Sequence, residues 1–222
     1  MLSQEVETML ETEFDRQVEN LMLKGYPKVA GVTTEAFVEL IDPLKATLRE
    51  LDMPENVFDE GHLSFVIVVK SDLIAIDRAM QLVDREGKSG VVNLHPVDPI
   101  RFKPIDDVEL PTSSVYVLVD IDRGEDTINI APDEAMQLIK GQDRSPLTID
   151  EGIAIITHYP DFLKKNHCFS LLASRCGDRR VPALWMSERR PKLGWCWAGN
   201  PHTWLGSASC GRRVGHMGQG QR

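Results

Sequence analysis

Leu63-Ser64-Phe65-Val66-Ile67-Val68-Val69-Lys70 decides the reading of this chain. Apolar, mostly β-branched side chains fill both odd and even positions from Phe65 to Val69. A strand with one wet face would alternate, so this one is covered on both sides. Val115-Tyr116-Val117-Leu118-Val119-Asp120-Ile121 repeats the pattern. Between them the sequence predicts a helix from about Asp72 to Asp84 and a short strand at Val91 to Leu94. A long ordered loop follows from His95 to Pro111, carrying Pro96, Pro99, Pro104 and Pro111.

Working outward to the N-terminus, Val6, Met9, Leu10, Phe14, Val18, Leu21 and Met22 recur at helical spacing with acids between them. Lys24-Gly25-Tyr26-Pro27 ends that helix. Phe37, Leu40, Ile41, Leu44, Leu48 and Leu51 form a second stripe, entered at Thr33 or Thr34 and interrupted by Asp42-Pro43, an N-cap followed by an N1 proline. Downstream, Pro132 opens a helix through Ile139, and Thr148-Ile149-Asp150-Glu151 is a capping box. Beyond Cys168 the rhythm shortens. Cys168 to Ser174, Val181 to Ser187, Leu193 to Ala198 and His202 to Cys210 read as strands of an antiparallel meander.

The expected fold is α+β: N-terminal helices, a central mixed sheet and a C-terminal antiparallel β-meander. It forms one domain over residues 1–210, with a helical part at 1–62, an α/β part at 63–165 and a Trp/Cys/Arg-rich meander at 166–210. Gly211 to Arg222, with four glycines, three arginines and no periodicity, reads as a disordered tail. At 42% hydrophobic and 27% charged residues, a packed core needs no disulfide staples. No apolar run approaches the roughly 20 residues of a membrane helix, and the acidic start of the chain is no secretory leader. The cytoplasm is the expected compartment, with no membrane partner.

Chemistry concentrates in the last third. All four tryptophans and all four cysteines lie there, and residues 161–222 hold eleven Lys and Arg against three Asp and Glu in a chain of net charge −9. Such a patch attracts a small anion. Alternation puts Trp195 and Trp197 on one face of their strand and Cys196 on the other, while His202, Trp204 and Cys210 share a face of the next. If the indole faces coincide, Trp195, Trp197 and Trp204 form a wall, with Arg179 and Arg180 as an anion clamp and His202 as a hydrogen-bonding or proton-transfer group. The expected ligand is small and anionic or aromatic.

Rival readings use the same segment. Cys168, Cys176, Cys196, His202 and Cys210 are zinc-type donors, but no C-x2-C pair is present, so no metal is assigned. Cys196 or Cys210 beside His202 would make a thiol-dependent catalytic pair. A basic meander would also dock a protein partner without chemistry. Phe169, Trp185, Trp195 and Trp197 interleaved with Arg179, Arg180, Arg189, Arg190 and Lys192 have the composition of a nucleic-acid surface, against which stands a pI near 5.2. Whether the chain is an enzyme, and with what cofactor, is not legible.

Gly25-Tyr26-Pro27, Phe65 to Val69, Pro146-Leu147-Thr148, Val181-Pro182-Ala183-Leu184-Trp185 and above all the block from Pro191 to Cys210, including Leu193-Gly194-Trp195-Cys196-Trp197-Ala198-Gly199-Asn200-Pro201-His202-Thr203-Trp204, resemble a family of bacterial proteins defined as a domain of unknown function. The likeness spans nearly the whole chain except the Gly/Arg tail. It implies one unit of conserved length and no transferable activity, cofactor or site residue.

Overall fold

The structure, a computed structural model, describes residues 4–51 and 58–216. Its first helix, α1 (Gln4–Leu23), buries Leu10, Phe14, Gln17 and Leu21 along one stripe. Gly25, at φ 78°, turns the chain into the short α2 (Tyr26–Ala30). Next comes α3 (Thr34–Ile41), capped by the Thr33 hydroxyl, which accepts from the Ala36 amide at 3.2 Å. Pro43 then opens α4 (Pro43–Arg49) at N1. The two covered strands are real: β1 (Phe58–Asp59) leads into β2 (His62–Val69), whose residues from Leu63 to Val69 are all buried.

Helix α5 (Ile76–Leu82) is shorter than the expected Asp72 to Asp84. The Ser71 amide and hydroxyl are held by Asp150, and Lys70 pairs with Asp72, so the chain turns before the helix starts. At its other end Val83 is extended and leads into the hairpin β3 (Asp84–Arg85) and β4 (Lys88–Ser89). There follow β5 (Val91–Val92), β6 (Lys103–Pro104) inside the proline-bearing loop, and β7 (Val115–Asp122). Helix α6 (Pro132–Gly141), β8 (Ser145–Pro146) and α7 (Ile149–His158) complete the middle of the chain. Both halves of the capping box on α7 are formed. The last third contains β9 (Cys168–Ser170), β10 (Ser174–Arg175), β11 (Arg180–Ser187), β12 (Arg190–Trp197), β13 (Leu205–Ser207) and β14 (Ser209–Gly215).

These strands build two five-stranded sheets, in the orders β1-β2-β7-β14-β8 and β13-β9-β11-β12-β5, and β6 pairs with β10 apart from both. The fold is α+β with an antiparallel C-terminal array, β9-β11-β12. Pairs in the first sheet are antiparallel throughout, and parallel pairs occur at the two edges of the second, β13 on β9 and β5 on β12. Helix α7 packs on β2, and its Gly152 lies against Leu171 and Leu184 of the second sheet region. One buried apolar cluster runs through both sheets, and α6 closes a smaller one with Leu172, Val181 and Ala198. No helix among the described residues is long and apolar enough to cross a membrane.

Two polar arrangements in this interior were invisible at the level of pattern. Beyond Leu63, β2 has no strand partner on one side among the described residues, and side chains serve its backbone at Phe65 and Ile67. Gln17 donates to the Phe65 carbonyl at 3.2 Å and accepts from the Ile67 amide at 2.8 Å, while His158 Nε2 lies 3.2 Å from the Ile67 carbonyl. The second arrangement corrects the tail. Residues 211–215, expected to be disordered, belong to β14 and pair with β7; residues 217–222 lie outside the described residues. Arg213 there is buried against Glu151, itself inaccessible to solvent, with Nη2 2.9 Å from Oε2. Tyr116 donates to Oε1 at 2.7 Å and the Thr148 amide to Oε2 at 2.7 Å. A glycine-rich composition concealed a strand because its partners, the β7 backbone and the Glu151 carboxylate, lie far away in sequence.

Candidate functional site

Strand β11 faces β12 through the pairs Arg180–Trp197, Pro182–Trp195, Ala183–Gly194 and Trp185–Lys192. Residues opposite one another in a ladder share a face. Trp195 and Trp197 therefore lie with Arg180 on one face, and Trp185, Gly194 and Cys196 on the other. The second face carries the floor of a cavity of about 530 Å³, to which Cys168, Ala183, Cys196 and Leu205 contribute. Trp185 and Trp204 meet edge-to-face there, centroids 6.2 Å apart, and the His202 ring lies 5.2 Å from Trp204. A Cβ built on Gly194 would stand 2.0 Å from Cη2 of Trp185, so the missing side chain is what lets this indole lie down on the sheet.

Trp195 and Trp197 also border the cavity, although register assigns their side chains to the reverse face. They meet edge-to-face at 4.9 Å, and the Trp195 indole N–H donates to the His95 carbonyl at 2.9 Å. The expected coincidence of faces is thus replaced by two indole pairs, one on each face of the β12 ladder. The rings are not sealed in: Trp185, Trp195 and Trp204 are half-buried and Trp197 is 42% exposed.

The expected anion clamp is not built. Neither Arg179 nor Arg180 lines the cavity. The Arg180 guanidinium lies 4.6 Å from the Trp195 centroid and 5.0 Å from that of Trp197, and it pairs with Asp178. Arg179 is exposed and stands 3.6 Å from Asp133. Arg180 is held beside an acid, whereas Arg179 and Asp133 are both exposed and screened by solvent. Lys165 is the single Lys, Arg, Asp or Glu in the lining, and Asn166, Asn200 and His202 supply neutral hydrogen-bonding groups. Trp185, Lys165 and the two asparagines were missed as site residues; alternation from Ala183 would have placed Trp185 on the floor's face.

Two of the four thiols border the cavity that His202 lines, and two lie elsewhere. Cys168 and Cys196 border the cavity, but burial raises both pKa values and keeps them protonated. Cys210, pushed up to about 12 by burial, is enclosed on β14 in the other sheet, and Cys176 donates to Asp178. Neither Cys210 nor Cys176 joins His202 in the lining. Among the described residues no group of three or more His, Cys, Asp or Glu side chains could hold a metal ion.

No curated protein and no solved structure matches the chain. Residues 20–216, which hold both sheets and the whole indole cavity, match the family of unknown function DUF5701, and the chain belongs to that family.

Proposed function

We propose that this chain binds a small, flat aromatic ligand in the indole cavity. One observation carries the reading: four tryptophans border an open hollow whose lining has a single formal charge. Its volume of about 530 Å³ falls in the ~300–1,000 Å³ range of small-molecule sites. A planar ligand gains stacking on Trp185 and Trp204, and His202, Asn166 and Asn200 fix its orientation by hydrogen bonds. Lys165 at the rim accommodates one acidic substituent, so the anionic part of the ligand is secondary to its ring. All four thiols are free, which fits the reducing interior of a cell, and the cytoplasm is the compartment proposed.

Trp fluorescence tests this directly. Nucleosides and indole carboxylates are expected to quench emission saturably, whereas sugar phosphates, lacking a ring to stack, leave it unchanged. Loss of one stacking partner in Trp204→Ala weakens binding by roughly tenfold, in line with ~1–3 kcal/mol per stacked base. Response to sugar phosphates alone, or an affinity indifferent to Trp204→Ala, would overturn the proposal.

A further inference from the structure

A second, larger cavity, of about 720 Å³, opens where the end of β2, the start of α5, the proline-bearing loop and the first turn of α7 meet. It shares no lining residue with the indole cavity. Ile76, Phe102 and Leu110 give it an apolar wall, and Ile100, on the same lining, is left 68% exposed.

The polar groups there are unevenly used. The donors at the helix end are occupied, while Lys103 forms no ion pair among the described residues: Lys70 donates to the Pro111 carbonyl at 3.0 Å and pairs with Asp72, the Ile149 amide donates to Ser174 Oγ, and the Glu151 amide to Thr148 Oγ1. An anion would find few free N–H groups at this helix end. The acceptors are in excess. Four carboxylates, Asp72, Asp77, Asp98 and Asp150, line the cavity against Lys70 and Lys103. Asp150 is the informative one. Its Oδ2 accepts from the Ser71 amide at 2.9 Å and the Ser71 hydroxyl at 3.0 Å, and among the described residues no Lys or Arg forms an ion pair with it. Burial, only partly offset by Ser71 and reinforced by the nearby charges of Glu151 and Asp72, pushes its pKa up to about 6. Its Oδ1 has no hydrogen-bond partner among the described residues, and a partly exposed carboxylate held through one oxygen, with no cation beside it, is open to a cationic ligand.

We propose that this cavity binds a small organic amine with an apolar body, its ammonium on Asp150 and its body against Ile76, Ile100 and Phe102. Phenethylamine and 3-phenylpropionate, similar in shape and opposite in charge, are the probes, titrated into the full ¹⁵N-labelled chain. The amine is expected to shift the amides of Ser71, Asp77, Ile149 and Asp150, and the acid to leave them in place. Asp150→Asn weakens the amine at least tenfold. Below about pH 6, affinity for the unsubstituted chain falls by up to tenfold per pH unit as Asp150 takes up its proton, a dependence that Asp150→Asn removes. Ile100→Lys, at an exposed position that does not threaten folding, also weakens the amine at least tenfold by setting a cation at the rim. Equal binding of acid and amine, no shift with either, or an amine affinity unmoved by both variants would overturn the proposal.

Discussion

Gly194 and Arg213 show how much a single residue decides here. With Cη2 of Trp185 where a β-carbon would stand, Gly194→Ala forces the indole off the floor. The expected result is a shifted Trp emission maximum, weaker binding of any aromatic ligand and a loss of roughly 1–3 kcal/mol from overpacking, read by urea denaturation. Arg213→Met acts through charge. It leaves Glu151, with no accessible surface, without its cation, a change that costs about 3–5 kcal/mol when a buried pair is broken on one side. The double variant Glu151→Gln/Arg213→Met removes both charges and is expected to recover most of that loss. If the single and double variants unfold at the same urea concentration, the pair is not the reason β14 stays in place.

Helix α7 carries two titrating groups whose effects on stability run in opposite directions. His158, at its end, is hydrogen-bonded as a neutral ring: Asn20 can only donate to Nδ1, so the proton sits on Nε2, facing the Ile67 carbonyl. Burial lowers its pKa to about 3 from an ordinary 6.5. Between those values the unfolded chain holds the extra proton, so this group's contribution is intact above about pH 6.5 and is lost as pH falls. Asp150, at the start of the helix, has its pKa raised from 3.8 to about 6. The folded chain holds that proton between the two values, so stability falls as pH rises through the interval and the penalty stands in full above it. Between about pH 4 and 6 the two slopes oppose each other. Asp150→Asn is expected to raise the denaturation midpoint at pH 8, to change it little at pH 4, and to steepen the acid loss due to His158. An unaltered pH–stability curve in this variant would show that Asp150 titrates as an ordinary carboxyl.

At the scale of the whole molecule, legibility followed how local each signal is. Phe65 to Val69 and Val115 to Ile121 could be read because burial on both faces leaves a continuous apolar run, and Thr148 with Glu151 because a capping box is confined to four residues. The crowding of indoles into the last third pointed to the cavity. What could not be read depends on partners distant in sequence. Arg213 meets Glu151, Trp185 rests on Gly194 of the next strand and Arg179 lies beside Asp133, whereas Arg180 pairs with Asp178 only two residues away, a contact the spacing already offered. Charge counting assigned those arginines to a ligand because it counts residues without their neighbours.

Between Ser207 and Ser209 the chain steps from the edge of one sheet into the interior of the other, where β14 separates β7 from β8. This passage governs the order of events during synthesis. The slot beside β7 in the first sheet, begun by residue 58, can be filled completely only after residue 215 has left the ribosome, when every strand of the second sheet has been made. Until then the nascent protein displays the unpaired side of β7. It is in that interval, rather than in the finished fold, that a chaperone has the most to hold.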